Sequence, residues 1–463
     1  MEPNTLQHPF AREPVGRLLL RFAVPSIISM VVNSVYNMVD QIFIGQGVGY
    51  IGNTATNICF PFTTMYLALC LLIGDGAAAL FSLRLGEGRR EEARDTVGTA
   101  ILLGLLVGGS YTVLCELGLR PMLGLFGCTE AAFPYAVEYA SITLLGVPFV
   151  AVSIACSNII RADGSPKYSM FCMLAGCFTN IVLDWHFVMN LGWGIAGAAW
   201  ATVIGQVLNC CLAVIRLPRL KNVQMGFKTL RLRRQAVFQI GRLGISSFIT
   251  QGAATFVVIL MNRSLSIYGA LSIYGSDIPQ AAFGNVMKVN QVVVAVLLGL
   301  GVGSQPIVGF NYGARIYERV RRTYLICIGA ATTAAVCGWG FCQVFTQSIV
   351  NLFGQEGELY NQFALNCFHI FLSMVLLYGV TVPTGIFFQA IGKPVKALLC
   401  SLGRQVLFFV PCIFITRAVA GLEGLLYAGP IADACAFLLA GTLGFREMRL
   451  LKRQSAVGNP AEE

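Results

Sequence analysis

Charged residues are scarce in this chain of 463 residues, where Asp, Glu, Lys and Arg together make up 12%. Soluble domains carry roughly 25% charged residues, because a water-facing surface needs about that many. Hydrophobic residues make up 56% of the sequence. This composition excludes a cytosolic enzyme, a disordered regulator and a nucleic-acid-binding protein, despite a formal net charge of +10. The apolar length must be solvated by lipid.

Metal-binding and redox motifs are also missing from the sequence. Three His residues are too few for a histidine-rich metal cluster, and none of the 16 Cys residues forms a CxxC pair. Most Cys residues lie in apolar runs, where Cys behaves as a small hydrophobic side chain. HExxH and GxSxG motifs are absent as well. We therefore expect no metal centre, no cofactor and no enzymatic activity.

Long apolar runs dominate what is present. A membrane-spanning helix needs about 20 apolar residues, and runs such as 101–107 and 292–300 lack the alternation of a transmembrane barrel strand. Turn and charge signals divide the chain into spans at about 18–44, 54–81, 96–118, 134–158, 168–190, 195–216, 237–262, 281–310, 323–345, 362–389, 395–416 and 422–445. The sequence therefore predicts an all-α integral membrane protein with twelve transmembrane helices.

Lys and Arg are distributed unevenly between the two sides of these spans. The loops that would share one side contain only Arg120, Arg263 and Arg417, whereas the two tails and the opposite loops hold nearly all the others. Because positively charged loops stay in the cytoplasm, we expect both termini to be cytoplasmic. The basic stretch after the sixth span is then a cytoplasmic linker. We expect a multi-pass protein of the inner (plasma) membrane, from a bacterium.

The two halves of the chain repeat each other at a constant offset. Gly74-x-Gly76 with Gly86 matches Gly301-x-Gly303 with Gly313, Gly194 and Gly197 match Gly421 and Gly424, and Ala162-x-Gly164-x-Pro166 matches Ala390-x-Gly392-x-Pro394 one residue later. Each half has an even number of spans, so the halves are parallel repeats of the kind found in alternating-access transporters. We predict a first lobe at 1–220 with helices 1–6, a basic linker at 221–236, and a second lobe with helices 7–12 and a cytoplasmic tail at 237–463.

Two acidic residues are clear cases of buried charge within spans of the first half, and neither has a basic residue nearby in the same span. Asp40 shares a helical face with Asn33 and Asn37, and Asp184 lies one turn after Asn180. An ionisable residue in a span costs roughly 2.5–3.5 kcal/mol and is a functional candidate by default. A proton on the acid would relieve that cost, and so would a bound cation such as Na⁺ held by Asp40, Asn180 and Asp184. A third interpretation is a carboxyl group that only joins two helices.

The second half offers other polar groups within its spans. Gln251, Lys288 and Asn290 are candidate cavity residues, and Lys288 either contacts substrate or pairs with an acid on another helix. Arg404 and Asp433 also lie within spans, and the sequence leaves the role of Asp433 open. In the first half, Asp75 lies between Gly74 and Gly76 near the end of the second span. We expect Asp75 to be interfacial.

Several segments together resemble one transporter family. They are Pro25 and Asp40 in the first span, Asn158-Ile-Ile-Arg-Ala-Asp-Gly-Ser-Pro166, Asn180-Ile-Val-Leu-Asp184, Gly194-Ile-Ala-Gly-Ala-Ala-Trp-Ala-Thr202, Gln305-Pro-Ile-Val-Gly-Phe-Asn-Tyr-Gly-Ala314, Gln389-Ala-Ile-Gly-Lys-Pro394 and Arg404-Gln-Val-Leu-Phe-Phe-Val-Pro411. Their order and spacing resemble the multidrug and toxic compound extrusion (MATE) transporters, in particular the MepA-like branch. The resemblance covers nearly the whole chain.

The resemblance implies a fold and an activity. Two six-helix lobes would form a V around a central cavity, and the chain would export bulky, often cationic amphipathic compounds in exchange for H⁺ or Na⁺, with H⁺ favoured. It assigns ion coupling to Asp40, Asn180, Asp184 and Thr202, with Tyr36, Asn37, Tyr139 and Asn158 as candidate neighbours, and a hinge to Pro25. Some relatives have an acid in the seventh span, where this chain has Gln251. We expect a functional monomer in the bilayer with an amphipathic small molecule as its partner and no nucleic acid.

Three rival functions remain open on the sequence alone. A flippase for a lipid-linked saccharide or another amphiphile belongs to the same superfamily, but its cavity would need cations, and only Lys288 and Arg404 are available. A major-facilitator transporter shares the twelve helices, and Arg84-Leu-Gly-Glu-Gly-Arg-Arg90 faintly resembles its 2–3 loop motif. An integral-membrane enzyme is the third, and no catalytic motif supports it.

Overall fold

The computed structural model describes residues 8–126, 128, 130–226, 229–352 and 357–457. Within these residues the chain is almost entirely helical. The expected tails at 1–7 and 458–463, and Lys228 in the expected linker, lie outside the described residues. The predicted all-α fold is confirmed.

The helices follow one another with short turns. In chain order they are α1 (Pro9–Arg12), α2 (Val15–Val48), α3 (Tyr50–Gly86), α4 (Arg90–Leu125), α5 (Phe133–Leu145), α6 (Val147–Ala162), α7 (Pro166–Asp184), α8 (Gly194–Arg216), α9 (Arg234–Ala270), α10 (Asp277–Gly313), α11 (Tyr317–Val344), α12 (Thr346–Leu352), α13 (Glu358–Phe371), α14 (Tyr378–Ala390), α15 (Pro394–Leu402) and α16 (Val410–Val457). Two π-helical segments extend α7 over Trp185–Asn190 and α15 over Gly403–Phe409.

Some spans consist of two helices, and one long helical run contains two spans. α5 and α6 together make one span, which bends by 44° at Gly146. Pro148 is the second residue of α6, a position near a helix start where proline is tolerated. The run Pro394–Ser455 has 62 residues, about three times the length that a bilayer needs. It leaves helical geometry at Ala420 and at Gly421, whose φ is 57°. This break separates the eleventh span from the twelfth, where the sequence places it.

The repeat seen in the sequence is also present in the backbone. Gly194 and Gly421 both have a φ of 57°, and Gly164 and Gly392 have φ angles of 95° and 73°. These left-handed conformations suit glycine because it has no Cβ atom. Arg315, at φ 56°, occupies the position in the second half that Gly88 holds in the first. The two halves therefore turn at equivalent positions with equivalent backbone geometry.

The two lobes contact each other at the end of the molecule that carries most of the basic residues, here called the basic end. A Cβ atom on Gly86 would lie 2.0 Å from the carbonyl oxygen of Phe310, and one on Gly313 would lie 2.3 Å from that of Leu83. Leu83 and Gly86 of the first repeat correspond to Phe310 and Gly313 of the second, so these contacts are reciprocal. Small residues let helices approach this closely in a membrane.

The segment between the lobes packs onto the first lobe. Between the end of α8 at Arg216 and the start of α9 at Arg234, the buried side chains of Leu217, Leu220 and Val223 join the core of the first lobe. Asp163, at the end of α6, accepts hydrogen bonds from the backbone amides of Lys221 (2.6 Å) and Asn222 (2.9 Å). The connection between the lobes is therefore anchored at the basic end.

The N-terminal segment also bridges the lobes at this end. The carbonyl oxygen of Phe10 accepts hydrogen bonds from Asn311 (3.1 Å) and Arg319 (2.8 Å) of the second lobe. The His8 ring stacks on Phe310 at 4.4 Å and hydrogen-bonds Asn222 at 2.8 Å. α1 is therefore part of the contact that closes the basic end.

Candidate functional site

Asp40 and Asp184 meet inside the first lobe. Asp40 of α2 is 7% exposed, and Asp184, the last residue of α7, is fully buried. Their carboxyl groups lie next to each other and interact directly. Apart from this mutual contact, no described residue donates a hydrogen bond to Oδ1 of Asp40 or to either carboxylate oxygen of Asp184. Neither acid forms a salt bridge within the described chain. The two acids thus form one buried pair.

Asp184 lies where α7 changes from α-helical to π-helical geometry. The α-helical turns of α7 end at Asp184, and the wider π-helical turns begin at Trp185. Single π-helical segments within α-helices occur frequently at functional sites. Beyond the segment, the amide of Leu191 donates to His186 O at 3.0 Å and that of Trp193 to Phe187 O at 2.9 Å. Asp184 is therefore a buried acid at an irregular point of its helix.

Asn180 and Thr202 extend the site. Nδ2 of Asn180 donates to Oγ1 of Thr202 across α7 and α8 at 3.3 Å, and both residues are buried. A Cβ atom on Gly205 would lie 2.8 Å from the carbonyl oxygen of Gly176, so glycine at both positions allows this close approach of the helices. Oδ1 of Asn180 has no hydrogen-bond partner among the described residues. The structure therefore brings all four candidate coupling residues together.

The site presents oxygen atoms that lack donors. Buried polar atoms without a hydrogen-bond partner cost about 1–3 kcal/mol each, so Asp40, Asn180 and Asp184 favour a proton or a cation that satisfies their oxygens. Oxygen ligands of this kind suit hard cations. The described residues contain no group of three or more His, Cys, Asp or Glu side chains that would hold a metal ion. The chemistry of the site fits a proton or one small monovalent cation.

Two tyrosines flank the acid pair. Tyr36, one turn before Asp40 on α2, interacts electrostatically with both acids, and Tyr139 of α5 interacts with Asp40 and Tyr36. Tyr139 also packs against Ile44, Val188 and Ala198. Asn37 differs, because it is exposed and donates to the carbonyl oxygen of Asn33 at 2.7 Å. Of the candidate neighbours on α2, Tyr36 is the one that interacts electrostatically with the acids.

Asn158 has a different partner from the one that the resemblance implies. Its Nδ2 donates to Oδ1 of Asp75 at 2.9 Å, and its Oδ1 accepts from Nη2 of Arg161 at 2.8 Å. The expectation that Asp75 is interfacial was wrong. Asp75 lies well before the end of α3 and also accepts a 2.7 Å bond from Oγ of Ser247 in the second lobe. The sequence could not show this partner, because it lies on the other lobe.

The candidate cavity residues occupy different faces of the second lobe. Ile240, Gly244 and Ser247 of α9 meet α3, and Gln251 continues that face one turn further from the basic end. Lys288 of α10 is exposed and lies three turns from Gly299, on the face that contacts Ile27 of α2. Gln251 and Lys288 are further from the basic end than these contacts. Each continues a helix face that contacts the first lobe nearer the basic end. Asn290 is 6% exposed and shares its face with buried Val286 and Phe283, inside the second lobe.

Asp433 forms an ion pair within the second lobe. Nε of Arg404 donates to Oδ1 of Asp433 at 2.7 Å, and Nη2 of Arg404 also donates to the Tyr378 hydroxyl. The guanidinium carbon lies 4.2 Å from the centroid of the Tyr378 ring. This pair was not predicted from the sequence, although opposite charges in two consecutive spans are a signal that could have revealed it, since such residues pair inside membranes. Pro25 is buried within α2, where the structure continues the helix through it.

Comparison with known proteins places this geometry in a family. The MatE family model matches the chain twice, over residues 25–186 and 253–414. Each match falls in one of the two repeats and includes spans of one lobe. The family consists of transporters rather than enzymes.

Individual relatives are similar along most of their length. An FAD transporter of Shewanella oneidensis is 23% identical over 450 residues, which are 93% of this chain and 96% of that protein. The multidrug export protein MepA of Staphylococcus saprophyticus is 22% identical over 438 residues, covering 93% and 94% of the two chains.

Solved structures share the fold. A multidrug resistance MATE family transporter in an outward-facing conformation superposes with a TM-score of 0.89 at 24% identity, covering 96% of this chain and 98% of its own. A transporter from Pyrococcus furiosus, described as having a binding pocket of reversed polarity, has the same TM-score at 23% identity and the same coverage. The predicted V-shaped fold of two six-helix lobes is confirmed.

Proposed function

The chain belongs to the MatE family of multidrug efflux transporters, and from this premise we propose that it is an antiporter that exports bulky, often cationic amphipathic compounds in exchange for H⁺. The observation that carries the proposal is the buried pair Asp40 and Asp184. Apart from the contact between the two acids, Oδ1 of Asp40 and both carboxylate oxygens of Asp184 receive no hydrogen bond from the described residues. Two adjacent carboxyl groups resist ionising together. A proton shared between them relieves this repulsion and supplies the missing donor, which favours H⁺ over Na⁺.

The distribution of charge supports an orientation for this cycle. The basic end faces the cytoplasm by the positive-inside rule, with both termini on that side of a bacterial plasma membrane. The lobes contact each other at this end, so the conformation is outward-facing. A monomer suffices for the proposed cycle, because each chain has both lobes and the acid pair.

Competition between substrate and proton gives the mechanism. A ligand shifts a conformational equilibrium only by its difference in affinity for the two states. A proton that enters from outside and neutralises the acid pair favours one packing of α2 in the first lobe, and a cationic substrate favours the other. Pro25 supplies the bending point, because a proline inside a helix removes one backbone hydrogen bond. Release of the proton to the cytoplasm then resets the site.

Uptake of a fluorescent dicationic dye into proteoliposomes tests this proposal. We expect wild-type dye accumulation to follow an imposed pH gradient, and Asp184→Asn and Asp40→Asn to reduce it to the level of empty liposomes. Asp277→Asn is the matched control, because this exposed acid at the start of α10 loses the same charge outside the site. It should transport like the wild type.

Each outcome of this experiment is informative. Wild-type transport by Asp184→Asn would refute the assignment of the coupling site. Accumulation that follows a Na⁺ gradient but not a pH gradient would replace H⁺ with Na⁺ at the same oxygens. Accumulation that responds to neither gradient would refute antiport.

A second candidate substrate is an anionic amphiphile such as FAD. Lys288 favours it, because this exposed cation lies on the face of α10 that continues from the contact with α2, and one relative is an FAD transporter. We expect Lys288→Gln to raise the KM for FAD several-fold while leaving the KM for the dicationic dye unchanged or lower. Absence of FAD uptake by the wild type would remove this candidate.

A further inference from the structure

A largely buried polar network joins the two lobes beside a close contact between α3 and α9. The Asp75 carboxylate on α3 accepts hydrogen bonds from Asn158 of the same lobe at 2.9 Å and from Ser247 of the second lobe at 2.7 Å. Arg161 interacts electrostatically with Asp75 and donates to Asn158 at 2.8 Å. The first lobe therefore supplies both the charge and its counter-charge. The second lobe supplies a hydroxyl donor.

The second lobe holds that donor in place. Nε2 of Gln389 on α14 donates to Oγ of Ser247 at 3.1 Å and to the carbonyl oxygen of Leu243 at 3.2 Å. The Ser247 hydroxyl accepts one bond from Gln389 and donates its single proton to Asp75. A hydrogen bond to a charged acceptor is stronger than a neutral one, and its surroundings of low dielectric strengthen it further. Ser247 is thus oriented towards the acid on the opposite lobe.

The bond between Asp75 and Ser247 requires the basic end to be closed. Asp75 is next to Gly76, whose Cβ atom would lie 2.2 Å from the carbonyl oxygen of Ile240. One turn before Ser247, a Cβ atom on Gly244 would lie 1.8 Å from the carbonyl oxygen of Leu72. α3 and α9 are therefore in backbone contact at this point. Any movement that separates these helices breaks the bond.

We propose that Asp75 and Ser247 form an inter-lobe lock that holds the transporter in the conformation with its basic end closed. The lock rests on the proposed alternating access and adds a residue pair that sets the balance between its two states. Opening the basic end breaks the bond to Ser247, but Asp75 keeps Arg161 and Asn158 in its own lobe. No buried charge loses its partner on opening, so the bond to Ser247 can break and re-form without leaving Asp75 unpaired.

Interlobe distances measured by electron–electron double resonance test the lock without any transport. Spin labels are attached through a noncanonical amino acid at Glu91 and Val395, exposed residues at the basic end of the first and second lobes, so that all native Cys residues remain. The central variant is Ser247→Ala. Ser246→Ala is its matched control, because among the described residues Ser246 Oγ bonds only to Leu243 O within its own helix, at 3.5 Å.

We expect Ser247→Ala to increase the population with a long distance about ten-fold, as loss of a hydrogen bond to a charged group predicts. Ser246→Ala should match the wild type, and Ser247→Thr, which keeps the hydroxyl, should restore the short distance. Asp75→Asn should resemble Ser247→Ala if it folds. Equal distance distributions for Ser247→Ala and Ser246→Ala would overturn the lock.

A second variant, which forces α3 and α9 apart, distinguishes failure of the lock from failure of alternating access. Gly244→Val forces side-chain atoms against Leu72 O and should separate the helices whatever Ser247 does. If Gly244→Val lengthens the distance and Ser247→Ala does not, the lock is wrong and alternating access stands. If neither variant changes the distance, the lobes do not separate at this end, and the proposed transport mechanism fails with the lock.

Discussion

The ion pair between Arg404 and Asp433 gives the sharpest prediction for stability. Asp433 is 1% exposed and bonds Nε of Arg404 at 2.7 Å, and the guanidinium also donates to the Tyr378 hydroxyl. In Asp433→Asn the shape of the side chain is kept, but the guanidinium loses its counter-charge inside the second lobe. The perturbation thus isolates the charge.

The magnitude follows from the cost of an uncompensated buried charge. Removing one partner of a buried pair destabilises a protein by about 3–5 kcal/mol, whereas replacing both partners by apolar residues is often close to neutral. We expect Asp433→Asn to lose about 3 kcal/mol, because the amide oxygen still accepts a bond from Arg404. The double variant Arg404→Met/Asp433→Leu should recover most of this loss. Adding Tyr378→Phe should recover more, because it removes a hydroxyl left without its partner.

Unfolding by SDS in mixed micelles, followed by tryptophan fluorescence, measures these free energies. Glu318→Gln is the matched control, because its partner Arg321 lies at 2.9 Å on the surface, where such pairs contribute about 0–1 kcal/mol. Dye transport per folded molecule should be unchanged in all these variants, since the pair lies apart from Asp40 and Asp184. The reasoning is refuted if Asp433→Asn destabilises no more than Glu318→Gln, or if the double variant is less stable than either single one.

Two further predictions concern the N-terminal segment and α2. Burial lowers the pKa of His8 below its usual 6.5, so docking of this segment is complete above that pH and weakens as the pH falls through the lowered value. Amide hydrogen exchange at residues 10–12 should rise in acid for the wild type but not for His8→Phe, which keeps an aromatic ring against Phe310. A flat wild-type profile would contradict this. Pro25→Ala restores an amide that can donate to the Arg21 carbonyl oxygen, which favours a straight α2. Dye turnover should fall several-fold with little change in KM, and unchanged turnover would exclude Pro25 as a hinge.

Periodicity and repetition made the fold predictable. The apolar runs fixed the number of spans, and the constant offset between glycines identified two equivalent halves. Two of the repeated pairs, Gly194 with Gly421 and Gly164 with Gly392, adopt left-handed conformations at equivalent turns. These features are local, because they depend on residues close in sequence. The bend between α5 and α6 and the two π-helical segments depend on packing against other helices, and the sequence pattern did not reveal them.

The candidate site was predictable where the sequence places a carboxyl group inside a membrane span, which is energetically unfavourable. Asp40 and Asp184 stood out because a carboxyl group in a membrane span needs a reason, and the structure brings them together with Asn180 and Thr202. Asp75 was misjudged because its position beside glycines near the end of a span resembled an interface. Its partner Ser247 is an ordinary residue in the sequence. Only the contact between the lobes makes that serine significant, and no pattern within one helix encodes it.

The reciprocal contact of Gly86 with Phe310 and of Gly313 with Leu83 has a consequence for how the molecule is assembled. The two lobes use the same patch to bind each other, as the subunits of a symmetric dimer do. The chain is therefore built like two copies of one half-size ancestor whose dimer interface became internal when the copies were joined. In such a pair the symmetry axis passes between the two reciprocal contacts at the basic end, so in the proposed cycle both halves would turn about it by equal and opposite amounts. In the proposed cycle, the acid pair, which is present in one half alone, would give this symmetric motion its direction.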